Sequence, residues 1–133
     1  MTSPPPPAPV SQSWRRVARR DWRRLHLLLD AGDGPGAGIF LQQALEKYLK
    51  GYLLERGWSL RKTHELDRLL DAAAAVDASL AAFRPLCERV SGYSLVERYP
   101  GADDGGPDAA QIRFDLEETK RLIVARFPDE PLA

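Results

Sequence analysis

The sequence predicts an all-α fold, an antiparallel bundle of about five helices joined by short connections. Three observations predict it. Apolar residues recur at helical spacing along several long segments. Those segments are separated by breaks rich in Gly and Pro. No run of alternating β-branched residues occurs anywhere in the chain, so nothing argues for a sheet.

Each element follows from its own pattern. Residues 1–10 are Pro-rich, lack a core pattern and are expected to form a disordered tail. Pro4–Pro7 stands where a signal peptide needs an apolar run, so no targeting signal is expected. Helix 1 is predicted to begin near Ser11 or Ser13, either of which can cap it. Trp14, Val17, Ala18, Trp22, Leu25, Leu28 and Leu29 line its inner face; Arg15, Arg16, Arg19, Arg20, Arg23 and Arg24 occupy the other. The Gly- and Pro-rich run from Ala31 to Gly36 stops it. Helix 2 is predicted over 37–55. Its apolar girdle of Phe40, Leu41, Ala44, Leu45, Tyr48, Leu49, Tyr52 and Leu53 is wider than one buried stripe requires. The excess, Leu49 and Leu53 above all, asks for a second neighbour or a subunit interface. Glu46 and Lys50 stand one turn apart in the favourable order for a pair.

Gly57 ends helix 2, and Thr63 is expected to cap a third helix running from His64 to about Ala75, with Leu66, Leu69 and Leu70 inward. Asp77 caps a fourth, which Pro85 bends or splits. Residues 93–107 read as an irregular excursion. Helix 5 is predicted over 107–127, with Ala109, Ile112, Leu116, Ile123, Val124 and Phe127 inward. The helical domain thus covers 11–128, followed by a C-terminal tail over 129–133.

A chain of 133 residues supports one domain with a real core. Its 19 basic and 19 acidic side chains cancel, so net charge selects no class of partner. Their distribution is more informative. Residues 15–24 hold six arginines and one aspartate, whereas residues 101–133 hold eight acids and four bases. Either half can meet a charged partner, including the other half of the same chain. The single Cys87 excludes an intrachain disulfide and a zinc-ligand set, and a reducing cytoplasm fits. No apolar stretch approaches the roughly 18 residues of a membrane-spanning helix. Serine-nucleophile, P-loop and dinucleotide fingerprints are absent, and no cofactor is expected.

Four segments carry a family resemblance. They are Ala18-Arg-Arg-Asp21; the run Phe40-Leu-Gln-Gln-Ala-Leu-Glu-Lys-Tyr-Leu-Lys50; Lys62-Thr-His-Glu-Leu66; and Arg98-Tyr-Pro-Gly101. In order and spacing they resemble the HEPN family, the helical domain often encoded beside or fused to minimal nucleotidyltransferases. The resemblance spans about residues 14–127. It implies a helical bundle that commonly forms homodimers. It does not imply one function, because some members resemble ribonuclease toxins and others look like non-catalytic nucleotide-binding modules.

The ribonuclease branch that the resemblance brings in uses an arginine, about four to six intervening residues and then a histidine, near the start of a late helix. Arg56 and Arg61 precede His64 at unsuitable spacing, and no histidine follows Arg98. Arg20 and His26 fit numerically but lie in the first helix. The expected ligand surface instead gathers Lys47, Lys50, Lys62, His64, Arg98 and Tyr99. A helix start beside a lysine and a histidine can receive an anion, Arg98 can contact phosphate, and Tyr99 can stack on a base. Each also has a plain structural role open to it: His64 ordering its loop, Arg98 pairing with Glu46 or Asp21, Tyr99 plugging the bundle. Asp21 lies near the apolar stripe and is expected to have a buried partner, because an unpaired buried carboxylate is costly. The function expected from these residues is a non-catalytic, homodimeric module that binds a nucleotide, an RNA or a nucleotidyltransferase. The alternative is a metal-independent endoribonuclease with a degenerate Arg/His centre.

Overall fold

A computed structural model describes residues 10–58, 65–93 and 107–132. Among them are five α-helices: α1 (Val10–Asp30), α2 (Gly34–Glu55), α3 (Leu66–Val76), α4 (Arg84–Ser91) and α5 (Ala109–Arg126). A 3-10 segment, Ala78–Phe83, precedes α4. No strand occurs among the described residues. The all-α bundle read from the sequence is the observed architecture.

Helix α2 is the central element. It packs on α1, α3, α4 and α5. Six consecutive residues, Tyr48 to Leu53, are all buried, so the helix is covered all round at that level. The wide girdle has its cover inside the chain: Leu49 and Leu53 are each 1% exposed. They therefore supply no argument for a subunit interface, contrary to the expectation from their excess. Burying each contributes about 1.5–3 kcal/mol to the monomer itself.

The break between α1 and α2 is shorter than the Gly-Pro run suggested. Only Ala31–Asp33 separates the helices. Gly32 takes φ 79°, a left-handed conformation that glycine adopts without strain. Asp33 then caps α2, accepting from the Gly36 amide at 2.9 Å. Pro35 falls in the first turn, where its missing N–H costs nothing. The same residues that end one helix open the next.

Other boundaries move for similar reasons. Ser11 and Ser13 lie inside α1, which already runs from Val10, and Ser11 is buried. Gly57, with φ 85°, ends α2 as read. Helix α3 starts at Leu66 with Glu65 in the N-cap position, not at His64. Thr63, His64 and most of the 93–107 excursion lie outside the described residues. Asp77 does cap, accepting from Ser79, but what it caps is the 3-10 segment. Pro85 then opens α4, so the expected fourth helix is split. On α5, Ile112, Leu116 and Ile123 point inward, whereas Val124 is 45% exposed and Leu122 takes the buried position. Beyond α5, Phe127 sits against Tyr48 and Tyr52, with ring centroids 5.9 and 6.4 Å away. It directs the segment expected as a tail back across the bundle.

Two predictions follow from packing. A Cβ on Gly34 would collide with the Pro107 carbonyl oxygen, a backbone atom that has no room to retreat. Gly34→Ala is expected to destabilise the fold by about 1–3 kcal/mol, read as a lower urea midpoint at unchanged slope; an unchanged midpoint would remove this contact from the account. Cys87 is fully buried, and burial, with the charge of Asp67 adding to it, pushes the thiol up to about 12. It should stay unmodified by an aromatic disulfide reagent at pH 8 until denaturant is added.

Candidate functional site

The arginine face of α1 does not act as one surface. Arg15 and Arg19 turn toward the C-terminal segment, where Glu130 has a fully buried carboxylate. Arg19 donates to it through Nε and Nη2 at 3.1 and 2.9 Å. Arg15 donates through Nη2 at 3.1 Å, and the Tyr48 hydroxyl donates at 2.9 Å. The Arg15 guanidinium also lies 4.3 Å from the Phe127 ring centroid. Desolvation by itself would raise the Glu130 pKa, but the donors from Arg19, Tyr48 and Arg15 outweigh it and hold the carboxyl below its ordinary value. The same burial, with Glu130 beside it, pushes the Tyr48 phenol well up, so it stays a donor.

Two further buried acids sit along α1 and α2. Asp21 accepts from Lys47 and, at 3.2 Å, from Arg24, which supplies the buried partner expected for it. Glu46 pairs with Lys50 at 2.8 Å, as the spacing predicted, yet both side chains are only 4% exposed. The Lys50 ammonium also lies 4.9 Å from the Trp14 ring centroid.

Of the six residues expected to form the ligand surface, two are described. Lys47 is half-buried and committed to Asp21. Lys50 is buried and committed to Glu46. Both ammonium groups have a carboxylate partner within the bundle. Lys62, His64, Arg98 and Tyr99 lie outside the described residues.

On α1 the exposed cations are Arg16, Arg20 and Arg23, together with the half-exposed Arg24. Two clefts flank the returning C-terminal segment. One of about 260 Å³ is lined by Gln12, Arg15, Arg16, Arg19 and Asp129. The other, about 370 Å³, is lined by Arg19, Trp22, Arg23, Pro131 and Leu132. Arg20 and His26 do not converge. Six positions place them about 120° apart around the helix. Arg20 is exposed, whereas His26 Nε2 is buried without a hydrogen-bond partner and the ring stands edge-on to Trp22 at 5.7 Å.

At the opposite end of α5, Asp115 is completely buried and accepts from Arg89 at 3.0 Å, from Gln111 at 3.3 Å and from the Tyr93 hydroxyl. Sequence reading named neither Glu130 nor Asp115 as a centre. The available signal for Glu130 was the opposed charge of residues 15–24 and 101–133, which meet here within one chain. Among the described residues, no cluster of His, Cys, Asp and Glu is placed to hold a metal ion, and no helix is long and apolar enough to cross a membrane.

A model of the HEPN domain matches residues 11–125. No curated protein and no solved structure matched in the corresponding comparisons.

Glu130→Ala would strand two guanidinium groups and a phenol. The expected loss is about 2–3 kcal/mol, below the full cost of breaking a buried pair because Arg19 keeps a third of its surface in water. Because the folded Glu130 pKa is depressed, its contribution is complete above the unfolded carboxyl value, about 4.3, and is lost as pH falls through the lower folded value. Thermal melts across pH 2–6 should therefore show a shallower acid loss in Glu130→Gln than in the parent. Equal slopes would mean that the carboxylate is not held ionised by its donors.

Proposed function

Because the chain belongs to the HEPN domain family, we propose that it acts as a non-catalytic, homodimeric binding module for a nucleotide, an RNA or a nucleotidyltransferase partner in the cytoplasm. The exposed arginines of α1 favour the phosphate-bearing ligands. The observation that carries the non-catalytic reading is the placement of His26. A general acid or base must reach the proton that it moves. His26 has Nε2 sealed against the bundle, one third of a turn of the helix away from the exposed Arg20.

Ligand contact is assigned to Lys62, His64, Arg98 and Tyr99. They come from the segments preceding α3 and α5, so their cations can meet one phosphate from different directions while Tyr99 offers a stacking face. Arg16, Arg20 and Arg23 have no partner among the described residues. Spread along a rod, they supply a diffuse attraction that raises the encounter rate and weakens with salt. The internal pairs of Arg15, Arg19, Lys47 and Lys50 support placing ligand contact elsewhere.

Fluorescent nucleotides and short RNAs titrated against three proteins test this reading. His64→Ala with Arg98→Ala should lose at least tenfold in affinity, since each charged hydrogen bond contributes about 1.5–3 kcal/mol. Neutralising Arg16, Arg20 and Arg23 to Gln should mainly flatten the salt dependence. This set avoids Arg19, whose loss would disturb the fold at Glu130. Intact binding in the double variant would reject the assigned contacts. Cleavage of RNA by the parent, abolished by His26→Ala, would replace the module by the endoribonuclease reading.

A further inference from the structure

Helix α5 buries one side and leaves the other open. Ile112, Asp115, Leu116, Thr119, Leu122 and Ile123 face the bundle. On the opposite side, Phe114 is 55% and Val124 45% exposed, two of the four exposed large apolar side chains among the described residues; the Arg89 guanidinium stands 5.6 Å from the Phe114 ring centroid. Between them stand Glu117 and Arg121, both exposed. A cleft of about 310 Å³ runs beside them, lined by Glu117, Lys120, Arg121, Val124 and Ala125. Among the described residues, neither the Glu117 nor the Arg121 side chain has an ion pair or hydrogen bond, although one turn separates them.

The four residues follow steps of three, four and three. That is the spacing of a coiled-coil seam, which keeps side chains facing one neighbouring helix. It also reads the same in both directions, and so does the chemistry if acid is exchanged for base: apolar, acid, base, apolar. Set against an antiparallel copy of itself, the strip places Phe114 opposite Val124 of the second copy and Glu117 opposite its Arg121, and the two-fold axis repeats both contacts. An interface built on a two-fold axis must be complementary to itself, and this strip meets that condition in apolarity and in charge. We propose that the outer face of α5 is a homodimer surface, on which a second copy of this chain docks antiparallel through Phe114, Glu117, Arg121 and Val124. The proposal rests on the homodimeric reading above and supplies the surface that Leu49 and Leu53 do not.

The strip is about 15 Å long. Contact confined to it is small beside the roughly 1,200 Å² of stable complexes, so the dimer expected there is a weak, reversible one.

Sedimentation equilibrium of the full chain from about 1 to 200 μM tests both readings separately. The parent should show a reversible monomer–dimer equilibrium that weakens in 0.5 M salt, as surface charge pairs do. Arg121→Glu places two acids opposite each other at two symmetric contacts and should raise the dissociation constant about tenfold or more. Adding Glu117→Arg restores opposite charges and should return it to within about threefold of the parent. Circular dichroism confirms that these exposed changes leave the helices intact. A parent that stays monomeric throughout overturns both the dimer and its surface. A parent dimer that Arg121→Glu leaves unchanged keeps the dimer and overturns the α5 surface. Weakening without recovery in the double exchange overturns the antiparallel register.

Discussion

The fold turns on a carboxylate that has no water to solvate it. Glu130 sits under the C-terminal segment with its charge balanced by Arg15 and Arg19 and its remaining acceptor capacity used by Tyr48. Those donors come from two helices, so the ionised acid is tolerable only where α1 and α2 lie side by side. Conversely, the arginines are acceptable at the edge of the core only because the chain returns to meet them. Phe127 makes the return reliable: it inserts between Tyr48, Tyr52 and Arg15 immediately before the acid arrives.

Asp115 repeats the arrangement at the other end of α5. It too is buried, and it too meets an arginine and a tyrosine hydroxyl, from Arg89 and Tyr93. Helix α5 and its extension are thus held by two acids, one against α4 and one against α1 and α2. Glycines govern how closely the neighbouring elements approach. A side chain at Gly38 would meet Tyr93 Cβ at 3.1 Å, and one at Gly51 would meet the Ser11 carbonyl at 3.2 Å. Buried ion pairs add little net stability compared with apolar packing. Their effect is directional: they admit one pairing of helices and penalise others.

Much of the fold was legible from spacing alone. Trp22, Leu25, Leu41, Leu45, Leu69, Leu86 and Ile112 recur at helical intervals, and all are buried. Periodicity reports which side of a helix is apolar, but not how many neighbours it has. That is why the girdle of α2 suggested a partner when α1, α3, α4 and α5 already cover it. Boundaries failed where one residue has two roles. Pro35 can stop a helix or open one, and only the Asp33 cap decides. The site was less legible still. Lys47 and Lys50 read as surface cations because both stand on the polar strip of α2; spacing gave Asp21 a buried partner without saying that Lys47 supplies it, and gave the Glu46–Lys50 pair without saying that it is buried. Glu130 was passed over because a short polar stretch after a helix ordinarily lacks a core pattern.

The returning segment also sets an order of events. Helices α1 and α2 are neighbours in sequence and can pair as soon as both have left the ribosome. Arg15 and Arg19 must then wait for an acid 115 and 111 positions downstream. Until it arrives, two guanidinium groups and the Tyr48 hydroxyl share an unfilled seat at the edge of a nascent core. Contacts of such separation are the slow ones in folding, because a long loop must close before they form. A hairpin of α1 and α2 alone would carry an open cationic notch, which in the complete fold is closed by Glu130.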